Sequence, residues 1–262
     1  GGKGIKGMQT REEDVVTKLF LSSNHSYLLY FTDMGRVYRT KTYNIPEAGR
    51  TAKGTPVVNI IEKSPEEKIS EIIPVKEFSD NEYLVMVTKN GIIKKTPASE
   101  YESIRKSGKI AITLKEGDEL ISIFKTTGND NIFLATRNGM AICFNENDAR
   151  AVGRTASGVK AIDLADGDYV VGAEPVREDS KVLLVTDGGY GKCTDLTSFR
   201  IQHRGGKGLK AYKITEKTGN IIGISMVNDS EELIMVTSEG VVIRIRIKDI
   251  ATTTGRITQG VR

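Results

Sequence analysis

Residues 83–96 have the sequence YLVMVTKNGIIKKT, a pattern that predicts two short β-strands joined by a tight turn. β-Branched, aromatic and other apolar residues flank the turn on both sides, as strands prefer. Asn90-Gly91 at the centre is a dipeptide that tolerates the positive φ required in a type I′ turn. The segment is therefore predicted to form a β-hairpin.

This hairpin pattern occurs five times, as an apolar run, Thr, two residues, Gly and a second β-rich run. The segments are Tyr27 to Thr40, Tyr83 to Thr96, Ile132 to Phe144, Val182 to Thr194 and Leu233 to Ile245. Their threonines are Thr32, Thr88, Thr136, Thr186 and Thr237, and their turn glycines are Gly35, Gly91, Gly139, Gly189 and Gly240. The glycines recur every 48 to 56 residues, which indicates a repeat architecture.

A short basic stretch that contains glycine, here called a box, alternates with the hairpins. The six boxes are Gly1 to Gly4, Gly49 to Gly54, Arg105 to Lys109, Gly153 to Gly158, Gln202 to Gly208 and Gly255 to Gly260. Their last glycines stand at positions 4, 54, 108, 158, 208 and 260, a spacing of 50 to 54 residues. Because the boxes and the hairpins recur with nearly the same spacing, they indicate a true repeat.

Two further apolar segments follow most boxes and predict two more strands per repeat. They are Val57 to Ile61, Ile110 to Leu114, Val159 to Leu164 and Leu209 to Ile214, then Ile69 to Val75, Leu120 to Phe124, Tyr169 to Ala173 and Ile221 to Val227. About four strands per repeat of about 50 residues, without a long amphipathic helix, predict an all-β, propeller-like fold.

One domain is expected over residues 1–262, because single four-stranded units cannot bury both faces alone. Its approximate repeat units are 1–48, 49–102, 103–151, 152–200, 201–252 and a partial unit, 253–262. Six boxes but five hairpins also predict that another hairpin precedes Gly1 in a longer protein.

The repeated Thr-x-x-Gly hairpins and the six boxes resemble the C-terminal domain of bacterial DNA gyrase A over essentially the whole chain. That family's signature, the gyrase box, is Gln-Arg-Arg-Gly-Gly-Lys-Gly in the first repeat. Gly1, Gly2, Lys3 and Gly4 match its last four residues. Gln202 to Gly208 matches six of the seven positions, with His203 in place of Arg.

The resemblance implies a six-bladed β-pinwheel, in which neighbouring blades exchange hairpins and duplex DNA wraps around a basic outer rim. In DNA gyrase, an ATP-dependent type IIA topoisomerase, this wrapping serves the introduction of negative supercoils. The chain itself is then expected to hold no catalytic residue, metal or cofactor, since ATP, Mg and the strand-cleaving tyrosine belong to other parts of the enzyme. The implied partners are duplex DNA, the rest of gyrase A and the gyrase B protein, with a monomeric isolated domain, a cytoplasmic location and no membrane contact.

The positive charges recur with the repeat, although the net charge is only +4. A DNA-wrapping surface needs cations along a path, because duplex DNA carries one charge per about 1.7 Å of its axis. We expect DNA contacts from the box cations, which are Lys3, Lys6, Arg50, Lys53, Arg105, Lys106, Lys109, Arg154, Lys160, Arg204, Lys207, Lys210, Arg256 and Arg262. We expect them also from cations on or just after the outgoing hairpin strands, which are Arg36, Arg39, Lys41, Lys94, Lys95, Lys192, Arg244, Arg246 and Lys248.

The third repeat has Met140 to Phe144 on its outgoing strand and no cation there, which predicts a weak point in the path. Acidic residues occupy another phase of the repeat, in connections between inner strands and hairpins. They are Glu12 to Asp14, Glu66, Glu67, Glu116 to Glu119, Asp166, Asp168, Glu231 and Glu232. The separation of charge predicts a polarised ring that recognises phosphates and DNA bendability rather than base sequence.

Other residue types give no sign of catalytic chemistry. Cys143 and Cys193 lie in β-like runs, which predicts reduced core residues of a cytoplasmic protein. His25 and His203 are too far apart in sequence to suggest a metal site or a triad. Gly188 to Gly191 lacks the Lys-Ser/Thr that a phosphate-binding loop requires, and it is predicted to be a hairpin turn.

Two alternative functions compete with DNA wrapping by a gyrase domain. A protein-binding propeller of the WD40 or kelch kind is disfavoured, since the chain has no Trp and cannot carry the Trp-Asp signature. The corresponding subunit of topoisomerase IV has a related C-terminal domain with an eroded box and less regular blades. Six recognisable boxes favour gyrase over it.

Overall fold

The computed structural model describes residues 5–7, 27–41, 61–236, 242–250, 252–253, 256 and 258–260. In these residues it contains twenty β-strands, four short 3-10 turns and no α-helix, which confirms the all-β class. The strands are β1 Ile5–Gly7, β2 Tyr27–Thr32, β3 Arg36–Lys41, β4 Ile69–Val75, β5 Tyr83–Thr88, β6 Ile92–Pro97, β7 Lys109–Ile110, β8 Leu120–Thr126, β9 Asn131–Thr136, β10 Met140–Asn145, β11 Val159–Lys160, β12 Val170–Pro175, β13 Lys181–Thr186, β14 Gly191–Asp195, β15 Ile201–Gln202, β16 Leu209–Lys210, β17 Ile221–Val227, β18 Glu232–Val236, β19 Val242–Arg246 and β20 Thr252–Thr253. The 3-10 turns are Ala98–Tyr101, Glu146–Asp148, Leu196–Ser198 and Ile247–Asp249. None of the helical segments in the described part is long and apolar enough to cross a membrane.

The five predicted hairpins are present, and the structure explains their Thr-x-x-Gly motif. In the second hairpin Gly91 has a φ of +87°, where L residues are strained, and its N–H donates to the Thr88 carbonyl at 3.0 Å. The Thr88 hydroxyl accepts the next free N–H, that of Ile92, at 3.1 Å. Thr32, Thr136 and Thr186 make the equivalent bond, so this threonine closes the turn from its side chain.

Four of the five described sheets take their outermost strand from the segment that follows the next hairpin along the chain. The second sheet has the order β8-β5-β6-β11, and β11 comes after the third hairpin. The first sheet, β4-β2-β3-β7, and the third, β12-β9-β10 with β15 and β16, follow the same rule. This exchange between neighbouring repeats confirms the pinwheel-like arrangement.

Successive sheets pack against each other through their apolar faces. The long inner strands β4, β8, β12 and β17 are neighbours in that order. One core cluster joins Leu29 and Phe31 of the first sheet to Leu84 and Met86 of the second, and two more clusters repeat this contact further along. Since each core is shared by two repeats, single repeats lack a complete core.

The start of the chain lies against its last hairpin. β1 pairs in parallel with β18, with Ile5 opposite Glu232. The described residues thus form five sheets, while the number of six blades rests on the family resemblance. The extent of one domain over residues 1–262 stays a prediction.

Candidate nucleic-acid interface

The fourth and fifth boxes are loops fixed at both ends to the outer edge of a sheet. In the third sheet, β15 before the box loop pairs in parallel with β10, at Cys143 opposite Ile201. After the loop, β16 returns antiparallel to the same strand, at Ala141 opposite Leu209. The boxes therefore lie at the edge opposite the inner strands, which is the outer rim of the repeat array.

The backbone of each of the last three boxes is also hydrogen-bonded to the segment that follows the preceding box. The Thr113 N–H donates to the Ala156 carbonyl at 3.2 Å, and the same bond recurs between Asp163 and Gly206 at 2.8 Å. It recurs again from the Lys213 N–H to the Thr258 carbonyl at 3.0 Å. The described boxes and the segments after them, residues 103–113, 151–163, 201–213 and the described part of 252–260, thus form one continuous strip, here called the box belt.

Arginines at the fourth position before the last glycine strengthen the box belt. Nη1 of Arg204 donates to the Lys160 carbonyl at 2.9 Å, and Nη1 of Arg256 donates to the Lys210 carbonyl at 2.9 Å. Arg154 binds the Ile110 carbonyl in the same way. These three side chains are half-buried, so each links two boxes while part of its guanidinium still faces the surface. The position is Ile104 in the third box, where the side chain is buried.

Most of the other predicted box cations are accessible at the surface. Arg105, Lys106, Lys160, Lys207 and Lys210 are exposed, and Lys109 is half-exposed. Residues Gly1, Gly2, Lys3, Gly4, Arg50, Lys53 and Arg262, and the side chain of Lys6, lie outside the described residues. The accessible cations fall on the box belt, so the structure gathers them along one path.

Two exposed cations beside the box belt were not predicted from the sequence. Arg150 and Arg200 end the segments that lead into the fourth and fifth boxes, and both are exposed. Each stands four residues before a box arginine, Arg154 or Arg204. That repeated Arg-x-x-x-Arg spacing was the signal in the sequence.

The outgoing hairpin strands carry charges of a different kind, and three predicted DNA contacts there are wrong. Lys94, Lys95 and Lys192 are only 1%, 5% and 1% exposed, so their ammonium groups cannot reach a phosphate. Lys95 forms a buried ion pair with Glu146 at 2.9 Å and lies 4.3 Å from the ring centre of Tyr83.

Lys94 and Lys192 instead point into the underside of a box loop. Lys94 Nζ donates to the Ala111 carbonyl at 2.5 Å and to the carbonyl of Arg154. Burial, followed by the charge of Arg154, lowers its pKa from 10.5 to about 7. Burial and then Arg256 lower the pKa of Lys192 to about 8.

The remaining cations on or just after the hairpin strands are accessible, and the four arginines among them contact backbone carbonyls or carboxylates. Arg36 donates to the Ser107 carbonyl at 3.0 Å, and Arg39 binds the Glu102 carbonyl. Lys41 is half-exposed. Arg244 lies 3.5 Å from Glu232, Arg246 lies 3.0 Å from Asp249, and Lys248 is exposed. These side chains remain candidates for DNA contact with weaker support than the box cations.

The predicted weak point in the third repeat does not follow from the structure. Ile142, Cys143 and Phe144 are buried, as are the lysines at equivalent positions in the second and fourth repeats. The surface above β10 is formed by the fifth box, with Arg204, Lys207 and Lys210. The absence of a cation on β10 therefore leaves the outer surface unchanged.

Several of the acidic residues hold hairpin turns rather than facing the box belt. Asp118 Oδ1 accepts the Asn90 N–H at 2.9 Å, and Asp168 Oδ1 accepts that of Asn138 at 3.0 Å. Both carboxylates stand just before an inner strand, on the side of the sheet away from the boxes. Glu67 is buried and accepts a 2.7 Å hydrogen bond from the Tyr38 hydroxyl. Asp118 and Asp168 are thus separated from the box belt, whereas Asp163 lies 3.7 Å from Lys160 within it.

The cysteines and most of the tyrosines belong to the core. Cys143 and Cys193 are buried free thiols, and burial raises the pKa of each to about 11. Tyr30 and Tyr101 are fully buried, while Tyr27 and Tyr83 are half-buried. These contacts give structural roles to residue types that often carry chemistry elsewhere.

Comparison with known proteins agrees with this geometry. The family model described as DNA gyrase C-terminal domain, beta-propeller, matches residues 1–23, 26–76, 82–127, 130–177, 180–228 and 231–262. The DNA gyrase A protein of Halalkalibacterium halodurans is 57% identical over all of this chain, and that of Clostridium acetobutylicum is 52% identical over 97% of it. The chain spans only 31% and 30% of the lengths of these two relatives.

Solved structures of related domains have the same fold. The C-terminal domain of a DNA topoisomerase IV matches with a TM-score of 0.84 and 30% identity, covering 90% of this chain and 74% of the other. A DNA gyrase A C-terminal domain matches with a TM-score of 0.78 and 24% identity, covering 91% and 78%.

Proposed function

Because the chain belongs to the DNA gyrase C-terminal domain family, we propose that it binds duplex DNA and wraps it around the box belt. The observation that carries this proposal is the continuity of the belt. Successive boxes are linked into one strip by backbone bonds from the segments between them and by the box arginines, and each described box brings at least one accessible cation to it. A strip of this kind matches the regular spacing of phosphates along a duplex.

Recognition on such a surface is dominated by the phosphate backbone. The accessible groups of the box belt are Lys and Arg side chains and glycine-rich backbone, which contact phosphates without reading bases. Curvature of the belt around stacked sheets requires the duplex to bend, so DNA sequences that bend easily are favoured.

The chain acts as one part of a larger enzyme in this proposal. It would belong to a gyrase A protein in the cytoplasm and work with the rest of that protein and with gyrase B. Those parts would bind ATP and Mg and cleave DNA as an ATP-dependent type IIA topoisomerase. The chain would supply DNA wrapping for negative supercoiling, and alone it would be a monomer.

Topoisomerase IV is the second candidate parent, because a domain of that enzyme has the same fold. Gyrase is favoured by the regular boxes along the chain and by the higher identity of the gyrase relatives. A protein-binding propeller is disfavoured by the exposed cations that the repeats place on one strip.

The dependence of binding on duplex length tests this proposal. Bending a site of 20–30 base pairs by 40–90° costs about 1–6 kcal/mol, which contacts with further boxes must offset. Short duplexes that reach one or two boxes should bind weakly, and affinity should rise with length until the belt is filled. Fluorescence energy transfer between the DNA ends should report their approach. Affinity that is flat with length, without approach of the ends, would leave only simple electrostatic attachment.

A further inference from the structure

A buried lysine lies beneath the fourth box. Lys94 is on β6, the strand to which both ends of this box are fixed, through the Lys95–Ala151 bridge and the Ile93–Val159 pair. Its Nζ binds the carbonyl of Arg154 inside the loop, and it binds the Ala111 carbonyl, which belongs to the segment after the third box. One side chain therefore joins the loop of one box to the segment after its neighbour.

The same arrangement recurs beneath the sixth box. Lys192 on β14 donates to the Arg256 carbonyl at 2.5 Å, and to the carbonyl and hydroxyl of Thr258 at 3.3 and 3.2 Å. Its Nζ also lies 4.7 Å from the ring centre of Tyr212, in the segment after the fifth box. Arg154 and Arg256, whose carbonyls are bound, are the residues whose guanidinium groups face the surface of the box belt.

The fifth box is held by a different device. The residue equivalent to Lys94 is Ile142, which is buried and has no donor. Here the Arg204 N–H donates to Asp148 Oδ2 at 3.1 Å, and its Nε donates to the Asp148 carbonyl at 2.9 Å. The fourth and sixth box loops are thus fixed by a lysine on the strand beneath them. The fifth box loop is fixed instead by Asp148, which stands before the fourth box.

We propose that Lys94 and Lys192 are positioning residues for DNA binding, which fix the box loops from beneath so that Arg154 and Arg256 face the phosphates. The proposal rests on the proposed function, because it assigns these lysines a role in the same DNA surface. A buried side-chain nitrogen that donates to two or three acceptors restrains the loop, because its removal leaves buried carbonyls without a partner.

The test compares Lys94→Met and Lys192→Met with the control Ile142→Met, which places the same side chain at the equivalent buried position. Amide hydrogen exchange of residues 151–158 reports the order of the fourth box loop without DNA. We expect exchange there to be roughly tenfold faster or more in Lys94→Met, from the loss of the buried hydrogen bonds of Lys94. Lys192→Met should act on residues 252–260 in the same way, and Ile142→Met should leave both loops unchanged.

DNA binding by the same variants separates positioning from a purely structural role. Each lysine variant should bind a long duplex less tightly and show a shallower dependence of log K on log salt, because fewer cations are held at phosphates. Faster loop exchange with unchanged affinity and salt slope would overturn the proposal, as would unchanged exchange. Failure of both lysine variants to fold while Ile142→Met folds would also overturn it, in favour of a core role.

Failure of the underlying function is recognisable in the same experiment. If the unaltered chain does not bind the duplex, DNA binding by the box belt is wrong and the positioning role falls with it. The exchange data would still show in that case whether the lysines hold the loops.

Discussion

The double variant Lys207→Ala/Lys210→Ala tests the box belt as the DNA surface. Both side chains are exposed in or just after the fifth box, and Lys210 binds Arg256 and pairs with Met140 through its backbone, which alanine keeps. The variant should therefore keep its melting temperature. Each phosphate that is no longer neutralised makes the slope of log K against log salt shallower by about 0.9, so two such phosphates make it shallower by about 1.8.

The same relation gives the expected decrease in affinity. At about 0.15 M salt, removing two phosphate contacts weakens binding about 30-fold, or about 2 kcal/mol, equally for duplexes of different sequence. Fluorescence anisotropy of a labelled duplex over a salt series measures both quantities.

A charge-matched control comes from cations away from the boxes. Lys76 and Lys217 are exposed and stand just after and just before inner strands β4 and β17. Lys76→Ala/Lys217→Ala changes the net charge by the same amount and should leave the slope nearly unchanged. If it lowers the slope as much as Lys207→Ala/Lys210→Ala does, or if the box variant has no effect, binding follows net charge and the reasoning is refuted.

Three further predictions concern the loops and the buried lysines. Gly208→Ala should destabilise the fold by about 1–3 kcal/mol by thermal unfolding, because Gly208 has a φ of +78° and a Cβ would lie 2.4 Å from the Ala141 carbonyl oxygen. Gly206→Ala, in the same box, should change the free energy of unfolding very little, because a Cβ added there would meet nothing within 4 Å. Equal losses of stability in the two variants would contradict the role given to the backbone of Gly208. Binding of DNA at pH 8 should be accompanied by proton uptake, because the phosphates should raise the pKa of Lys94 above its value of about 7 in the free chain. Calorimetry in buffers of different ionisation heat measures this uptake, which should be smaller for Lys94→Met. Between about pH 7 and 10 the unfolded chain holds a proton that folded Lys94 has released, so the unaltered chain should gain stability with pH relative to Lys94→Met.

The sequence predicted those parts of the fold that depend on local patterns. Asn90-Gly91 and the repeated Thr-x-x-Gly located the hairpins, because turn geometry and strand preference act over a few residues. The common register of boxes and hairpins located the rim. The exchange of outer strands came from the family resemblance, since the pairing of β11 with β6 joins residues about 65 positions apart in sequence.

The lysines of β6 show where local patterns fail. Lys94 and Lys95 are adjacent, so they point to opposite faces of the strand, and at least one of them would ordinarily be accessible. Both are buried because the fourth box covers one and Glu146, from the 3-10 turn after the next hairpin, pairs with the other. The covering groups come from later repeats, which the residues around Lys94 do not indicate.

The backbone bonds that join the boxes were equally hidden from the sequence. The bond from Thr113 to Ala156 uses only main-chain atoms, so no side-chain pattern marks it. The box arginines were assigned to phosphates alone, whereas Arg154, Arg204 and Arg256 also link neighbouring boxes.

Religation of a nicked circular DNA with the chain bound tests DNA wrapping most directly. A duplex that curves around the box belt acquires a fixed writhe, which ligation traps as a change in linking number after the protein is removed. The centre of the topoisomer distribution should move further from that of free DNA as more chain is bound. The displacement should be smaller for Lys207→Ala/Lys210→Ala at equal occupancy. A distribution that stays centred on that of free DNA at saturating chain would show that the chain binds DNA without wrapping it.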